Sequence, residues 1–258
     1  MSSATITTSA RLMNSTPQTE EQAMVRKVAV SSFLGNFIEW FDYASYSYFA
    51  TTIALVFFPT DNHTVAMLQT FGVFALSFIL RPIGALFWGS YGDKKGRKAA
   101  LAHSIMFMSG ASFLIGCLPS YSVIGVGAPI LLLLLRMVQG FSASGEYAGA
   151  ATFLGEYAPT SKRGIYCSLI PASTAIGLLA GSTLATLMAT NMNSSAMVGW
   201  GWRVPFLLAG PLGLIVLYIR AKLADSPVYQ SMNDALESKG AASADGQIAA
   251  KSGMFAPL

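Results

Sequence analysis

Residues 65–98 read VAMLQTFGVFALSFILRPIGALFWGSYGDKKGRK. The run from Val65 to Tyr91 holds one charge, Arg81, whereas the seven residues after it hold five, from Asp93 to Lys98. A helix needs about 20 mainly apolar residues to cross the hydrocarbon of a bilayer. The basic cluster behind the run is of the kind that stays in water on one side of it. This stretch therefore reads as a membrane span followed by its anchor, and it sets the fold class: an all-α integral membrane protein.

Working outward, five further stretches qualify: Val28–Phe58, Ala99–Leu118, Val126–Leu154, Gly164–Thr190 and Trp202–Ala221, giving six transmembrane helices. Pro59–Thr64, Pro119–Gly125 and Asn191–Gly201 connect them without basic residues, while Gly92–Lys98 and Gly155–Arg163 are rich in them. Composition agrees: 53% of the 258 residues are hydrophobic and 11% charged, less than half the roughly 25% usual in soluble domains. The formal charge of +4 comes from short clusters between apolar runs, not from a continuous basic face, so nucleic acid is not an expected partner. Cys117 and Cys167 each lie in an apolar run and show no metal or disulfide spacing. Neither a metal nor a cofactor is expected. The Ser/Thr-rich start of the chain lacks the apolar core of a signal peptide.

Arg26, Lys27, Lys94, Lys95, Arg97, Lys98, Lys162, Arg163, Arg220 and Lys222 all fall on one side of the expected topology, with Arg203 alone near the other. The positive-inside rule then puts both termini in the cytoplasm. Residues 1–27 form an amino-terminal tail, 28–222 the six-helix domain and 223–258 a polar tail with a short helix near Val228–Leu236.

Glu39, Asp42, Arg81, Arg136 and Glu146 lie inside the spans. Each costs about 2.5–3.5 kcal/mol at a helix centre on insertion scales, so they face a protein interior or an aqueous cavity. At about 1.5 Å per residue, Glu39, Arg81 and Glu146 come to a common level near the midplane, which makes them a candidate substrate and proton site. Asn36, Glu39, Tyr43 and Tyr46, with Asp42 beside them, recur along one face of the first span and are expected to line that cavity. Arg136, nearer the outer face, is read as structural. Trp200 and Trp202 are expected as interfacial anchors. No nucleophile–base pair or phosphate-cradling loop stands out, so an enzyme is not expected.

The segment Gly89-Ser-Tyr-Gly-Asp93-Lys94-Lys95-Gly96-Arg97-Lys98 resembles the GxxxD(R/K)xGR(R/K) signature of the major facilitator superfamily. A narrower resemblance covers Gly35 to Tyr229. GNFIEWFDY, FILRPIGALFWG, RMVQGFSASGEYAGA, GWGWRVPF and DSPVY are similar to the metabolite–proton symporter family, and GEYAGAATFLGEYAPTSKRG most resembles its proline/betaine carriers. The resemblance implies the amino-terminal half of a twelve-helix fold. It also implies proton symport of a zwitterionic osmolyte, or alternatively of a carboxylate such as 2-oxoglutarate, citrate or shikimate, in a bacterial inner membrane. Glu39, Asp42, Arg81 and Glu146, with Asn36 and Tyr43, would handle substrate and proton. Gly89, Asp93, Gly96, Arg97 and Lys98 would latch the inward gate, with Glu156 within reach of Arg97. The expected partners are a small metabolite, protons, membrane lipid, and a second six-helix half or a second copy. A non-transporting membrane module is the reading from another class.

Overall fold

The structure is a computed structural model that describes residues 15–223 and Ser231. The short helix expected near Val228–Leu236 lies outside the described residues except at Ser231. Twelve α-helices, joined in places by 3-10 turns, make up the described chain. They are α1 (Ser15–Tyr48), α2 (Ala50–Phe57), α3 (His63–Ile79), α4 (Arg81–Lys95), α5 (Arg97–Cys117) and α6 (Tyr121–Ile124), followed by α7 (Gly127–Ala143), α8 (Glu146–Tyr157), α9 (Arg163–Cys167), α10 (Leu169–Asn191), α11 (Ser194–Gly199) and α12 (Val204–Ala221).

Among the described residues, five stretches are long and apolar enough to cross a membrane: His63–Lys95, Arg97–Cys117, Gly127–Tyr157, Thr160–Asn191 and Gly201–Ala221. Six were expected. The difference is α1 with α2, where Asn36, Glu39, Asp42 and several hydroxyls dilute the apolar content. Those polar groups are buried, because α1 runs through the bundle between α10, α12 and α8. A helix shielded on several sides can carry polarity that a lipid-facing one cannot. It also begins at Ser15, well before Val28, so part of the expected amino-terminal tail is helical.

Around this centre, α5 packs along α12 and α7, and α3 along α7. Two spans are interrupted beside charged residues. Leu80 separates α3 from α4, just ahead of Arg81 and of Pro82, which has no N–H to give. Ser144 and Gly145 separate α7 from α8, just ahead of Glu146. The loop expected over 92–98 shrinks to Gly96, whose φ of +95° lies in the region that favours glycine.

Apolar clusters close both ends. At the basic end, where Gly96 turns and Lys162 lies, Val28, Leu101, Phe153, Leu154 and Leu223 pack together. At the far end Phe49, Ile53, Phe57, Leu132 and Phe206 surround Trp202. Trp202 is fully buried, edge-on to Phe57 at 5.3 Å, and so is a core residue, not the expected interfacial anchor. Trp200 is 56% exposed. Trp202 lies within the 3-10 turn Gly201–Arg203, and Trp200 stands just ahead of it.

Candidate functional site

Between the apolar ends, α1 meets a series of ion pairs, one for each carboxylate. Nearest the basic end, Arg220 of α12 grips Glu146 of α8 through both guanidinium nitrogens, one bond being 3.0 Å. Arg220 also donates to the Leu101 carbonyl at 2.5 Å and the Ser31 carbonyl at 3.3 Å, and Ser104 donates to Glu146 at 3.3 Å. Both side chains are almost fully buried. Glu146 sits in the first turn of α8, where the helix dipole favours a negative charge. Helix α1 comes this close because residue 35 is glycine. A Cβ there would overlap Glu146 and Arg220.

One turn further along α1, Arg81 of α4 donates to Glu39 Oε1 at 2.5 Å and to the Tyr43 hydroxyl. Its guanidinium lies over the rings of Phe78 and Tyr43, 4.7 and 5.0 Å from their centres. This pair is incomplete. Glu39 Oε2 and Arg81 Nε are buried without a hydrogen-bond partner among the described residues, as is Trp40 Nε1. A buried polar group left unpaired costs about 1–3 kcal/mol. Arg81 is also the open member of the set, its side chain 27% exposed against 1% for Glu39.

Beyond it, Arg136 of α7 donates to Asp42 at 2.7 Å and lies 3.7 Å from the centre of the Tyr46 ring. Gln139 donates to Asp42 at 3.1 Å and to Ser112 at 2.5 Å. Tyr46 itself donates to the Thr70 carbonyl.

The sequence grouping is therefore corrected in two ways. Glu39 and Arg81 do meet, but Glu146 turns to Arg220. It contacts α1 at Gly35, four residues before Glu39 and about 6 Å nearer the basic end. Counting residues along a helix gives a height; the partner depends on which helix stands opposite. The expected single stripe along α1 also divides. Asn36 faces α10, where its amide donates to Ile170 O, Ser173 and Thr174. Glu39 and Tyr43 face α4, and Asp42 and Tyr46 face α7. Arg220, read only as an anchor at the end of its span, is the residue that sequence reasoning missed. Its spacing gave no sign of it, since a long side chain at a helix end can point outward or reach in.

At the basic turn, Arg97 Nε donates to Glu156 at 3.2 Å and its Nη2 lies 3.8 Å from Asp93, which is 70% exposed. The reach of Arg97 to Glu156 is as expected. Lys98 donates to the Ala221 carbonyl at 3.0 Å and so caps α12. A Cβ at Gly89 would meet nothing within 4 Å.

This geometry has clear relatives. The chain is 42% identical over 217 residues to the proline/betaine transporters of Salmonella typhimurium and Escherichia coli K12. It is equally similar to the glycine betaine/proline/ectoine/pipecolic acid transporter OusA of Dickeya dadantii. Each match covers 84% of this chain and 43% of the relative, so the chain spans less than half the length of the curated relatives it matches. These relatives are transporters, not enzymes. Among solved structures, the xylose transporter XylE from E. coli in a partially occluded inward open conformation superposes with a TM-score of 0.73. Identity there is 18%, over 81% of this chain and 52% of XylE, which establishes the fold. The Sugar (and other) transporter family matches residues 27–251; the chain belongs to that family, and its helices form the amino-terminal half of a major facilitator superfamily fold.

Proposed function

We propose that the Glu39–Arg81 pair is the substrate site of a proton-coupled symporter for a small zwitterion such as proline or glycine betaine. The observation that carries this reading is the pair of unused atoms. Arg81 Nε is a donor suited to a carboxylate and Glu39 Oε2 an acceptor suited to a cationic nitrogen, and they belong to one ion pair with an opening at Arg81. Tyr43 and Phe78 add aromatic faces beside it, of the kind that attract an onium group. The printed names of the curated relatives support this choice of substrate over the carboxylate alternative. Glu39 and Asp42 are the carboxylates assigned to proton coupling in this reading.

In this reading both termini are cytoplasmic, in line with the distribution of Lys and Arg, and the protein resides in a bacterial inner membrane, a location suggested by its bacterial transporter relatives. A second six-helix unit, from further chain or a second copy, faces Arg81, and the two units rock about the midplane. The Arg97–Glu156–Asp93 cluster, with Gly89, Gly96 and Lys98, latches the inward gate.

The test is uptake of labelled glycine betaine and proline by vesicles under an inward proton gradient, against 2-oxoglutarate and shikimate. Arg81→Gln is expected to lower zwitterion uptake at least about tenfold, equivalent to ~1.4 kcal/mol of lost interaction. Glu39→Gln together with Asp42→Asn is expected to remove the response to the gradient. Gradient-driven uptake that survives all three changes would sink the assignment.

A further inference from the structure

A cavity of about 580 Å³ opens on the outside of the bundle between α4, α5 and α7. Its wall is apolar through most of its depth, with Phe87, Phe107, Leu134 and Phe141 among the lining residues. Apart from Ser142, polarity enters at one end. There Tyr91 stacks on Phe87 with ring centres 6.1 Å apart, and His103 stands edge-on to Tyr91 at 5.7 Å. Phe87, Tyr91 and Lys95 follow at intervals of four residues and so share one face of α4. Lys95, in the last turn of α4, is exposed. The groove thus runs from an apolar floor to an aromatic, then cationic, mouth.

Its length identifies what fits. From Tyr91 to Leu80, the deep end on this side, eleven residues rise about 16 Å. One leaflet of hydrocarbon, half of roughly 30 Å, is about 15 Å deep. A membrane-crossing helix laid in the groove would continue through the whole thickness, whereas the stretch that lines it on the α4 side, Leu80 to Tyr91, matches one leaflet. An acyl chain of the leaflet at the basic end stops at the same level. We infer that this groove is a binding site for an anionic phospholipid, one acyl chain lying along Phe87, Phe107 and Leu134, and the headgroup meeting Lys95 and the His103 ring. Tyrosine and histidine at the boundary suit the interfacial layer, and lysine there suits a negative headgroup. This site is independent of the substrate reading, because it shares no residue with the Glu39–Arg81 pair.

Trp88 borders the groove and reports on it. The protein is reconstituted into vesicles of phosphatidylcholine and phosphatidylglycerol in which one or the other lipid carries brominated acyl chains. The Trp88 fluorescence is taken as the difference from Trp88→Phe. Brominated phosphatidylglycerol is expected to quench it about fivefold more effectively per mole than brominated phosphatidylcholine, the ratio that one lysine–headgroup attraction gives. Lys95→Gln is expected to equalise the two lipids without abolishing quenching. Val138→Phe, which narrows the groove, is expected to reduce quenching by both. Equal quenching by the two lipids in the unchanged protein means ordinary boundary lipid and overturns the proposal. Absence of quenching by either means that protein covers the groove, whether a second copy or another segment, and overturns it as well.

Discussion

Two ion pairs stand one helical turn apart on α1 and differ in nearly every respect that matters. The Glu146–Arg220 pair is buried on both sides, and neither side chain has a buried atom without a partner. It ties together Ser31 of α1, Leu101 and Ser104 of α5, α8 and α12. The Glu39–Arg81 pair joins α1 to α4 alone, leaves a donor and an acceptor unused, and opens at the arginine. A complete network holds helices together; an incomplete one has capacity left for a ligand. Charge inside a membrane protein is thus not one signal but two, and unused atoms mark a site only where the pair also opens, since the closed Arg136–Asp42 pair leaves Arg136 Nε and Nη2 without partners among the described residues as well.

The contrast is best broken at its strongest point. Arg220→Leu strands the Glu146 carboxylate among helices, and the loss is expected to reach about 3–5 kcal/mol. Unfolding in mixed micelles should show it as a large shift in midpoint, and the double change Arg220→Leu/Glu146→Leu should recover most of it. If the double variant is no better than the single one, the pair is not the bolt described. Gly35→Ala comes next, because its methyl group overlaps Glu146 and Arg220. Overpacking of this sort costs about 1–3 kcal/mol, measured in the same assay. Glu39→Gln keeps the shape and an acceptor for Arg81, so its effect on stability is expected to stay near or below about 1 kcal/mol. Its effect on uptake should be far larger, and a variant that lost stability and kept uptake would reverse the two roles. Smallest of all, Lys98→Gln removes the cap on the Ala221 carbonyl, an interaction worth about 0.3–1 kcal/mol at a helix C-terminus. That loss should appear as faster amide exchange in the last turn of α12.

Much of this architecture was legible in the sequence, because lipid imposes simple demands. Apolar length marks spans, and the basic cluster at Lys94–Lys98 marks a turn, where Gly96 takes a positive φ that favours glycine. The buried charges also announced themselves, since none of Glu39, Asp42, Arg81, Arg136 and Glu146 is tolerable against acyl chains. Their pairing was not legible. Height along a helix follows from residue counting, but direction around the helix axis depends on neighbours fixed by the whole bundle. Glu146 was therefore grouped with Arg81, and Arg220 was taken for an anchor. Trp202 misled for a related reason: its neighbour Trp200 does sit outside, and a tryptophan near a span end is usual in either place. The first span escaped the apolar criterion for the reason that makes it central, since burial among helices permits the polarity that holds them.

Helices α5 and α12 run antiparallel and exchange cations at their ends. Lys98, in the first turn of α5, reaches the last carbonyls of α12. Arg203, just ahead of α12, reaches the Gly116 and Leu118 carbonyls where α5 finishes, at 2.8 and 2.5 Å. A pair fastened at both extremities resists sliding and splaying alike, even with Pro211 inside α12. Flexing during a working cycle falls more readily to spans that carry interruptions, those at Leu80 and at Ser144–Gly145 among them. Those joints lie beside Arg81 and Glu146, which sets the movable parts of the bundle next to its charges.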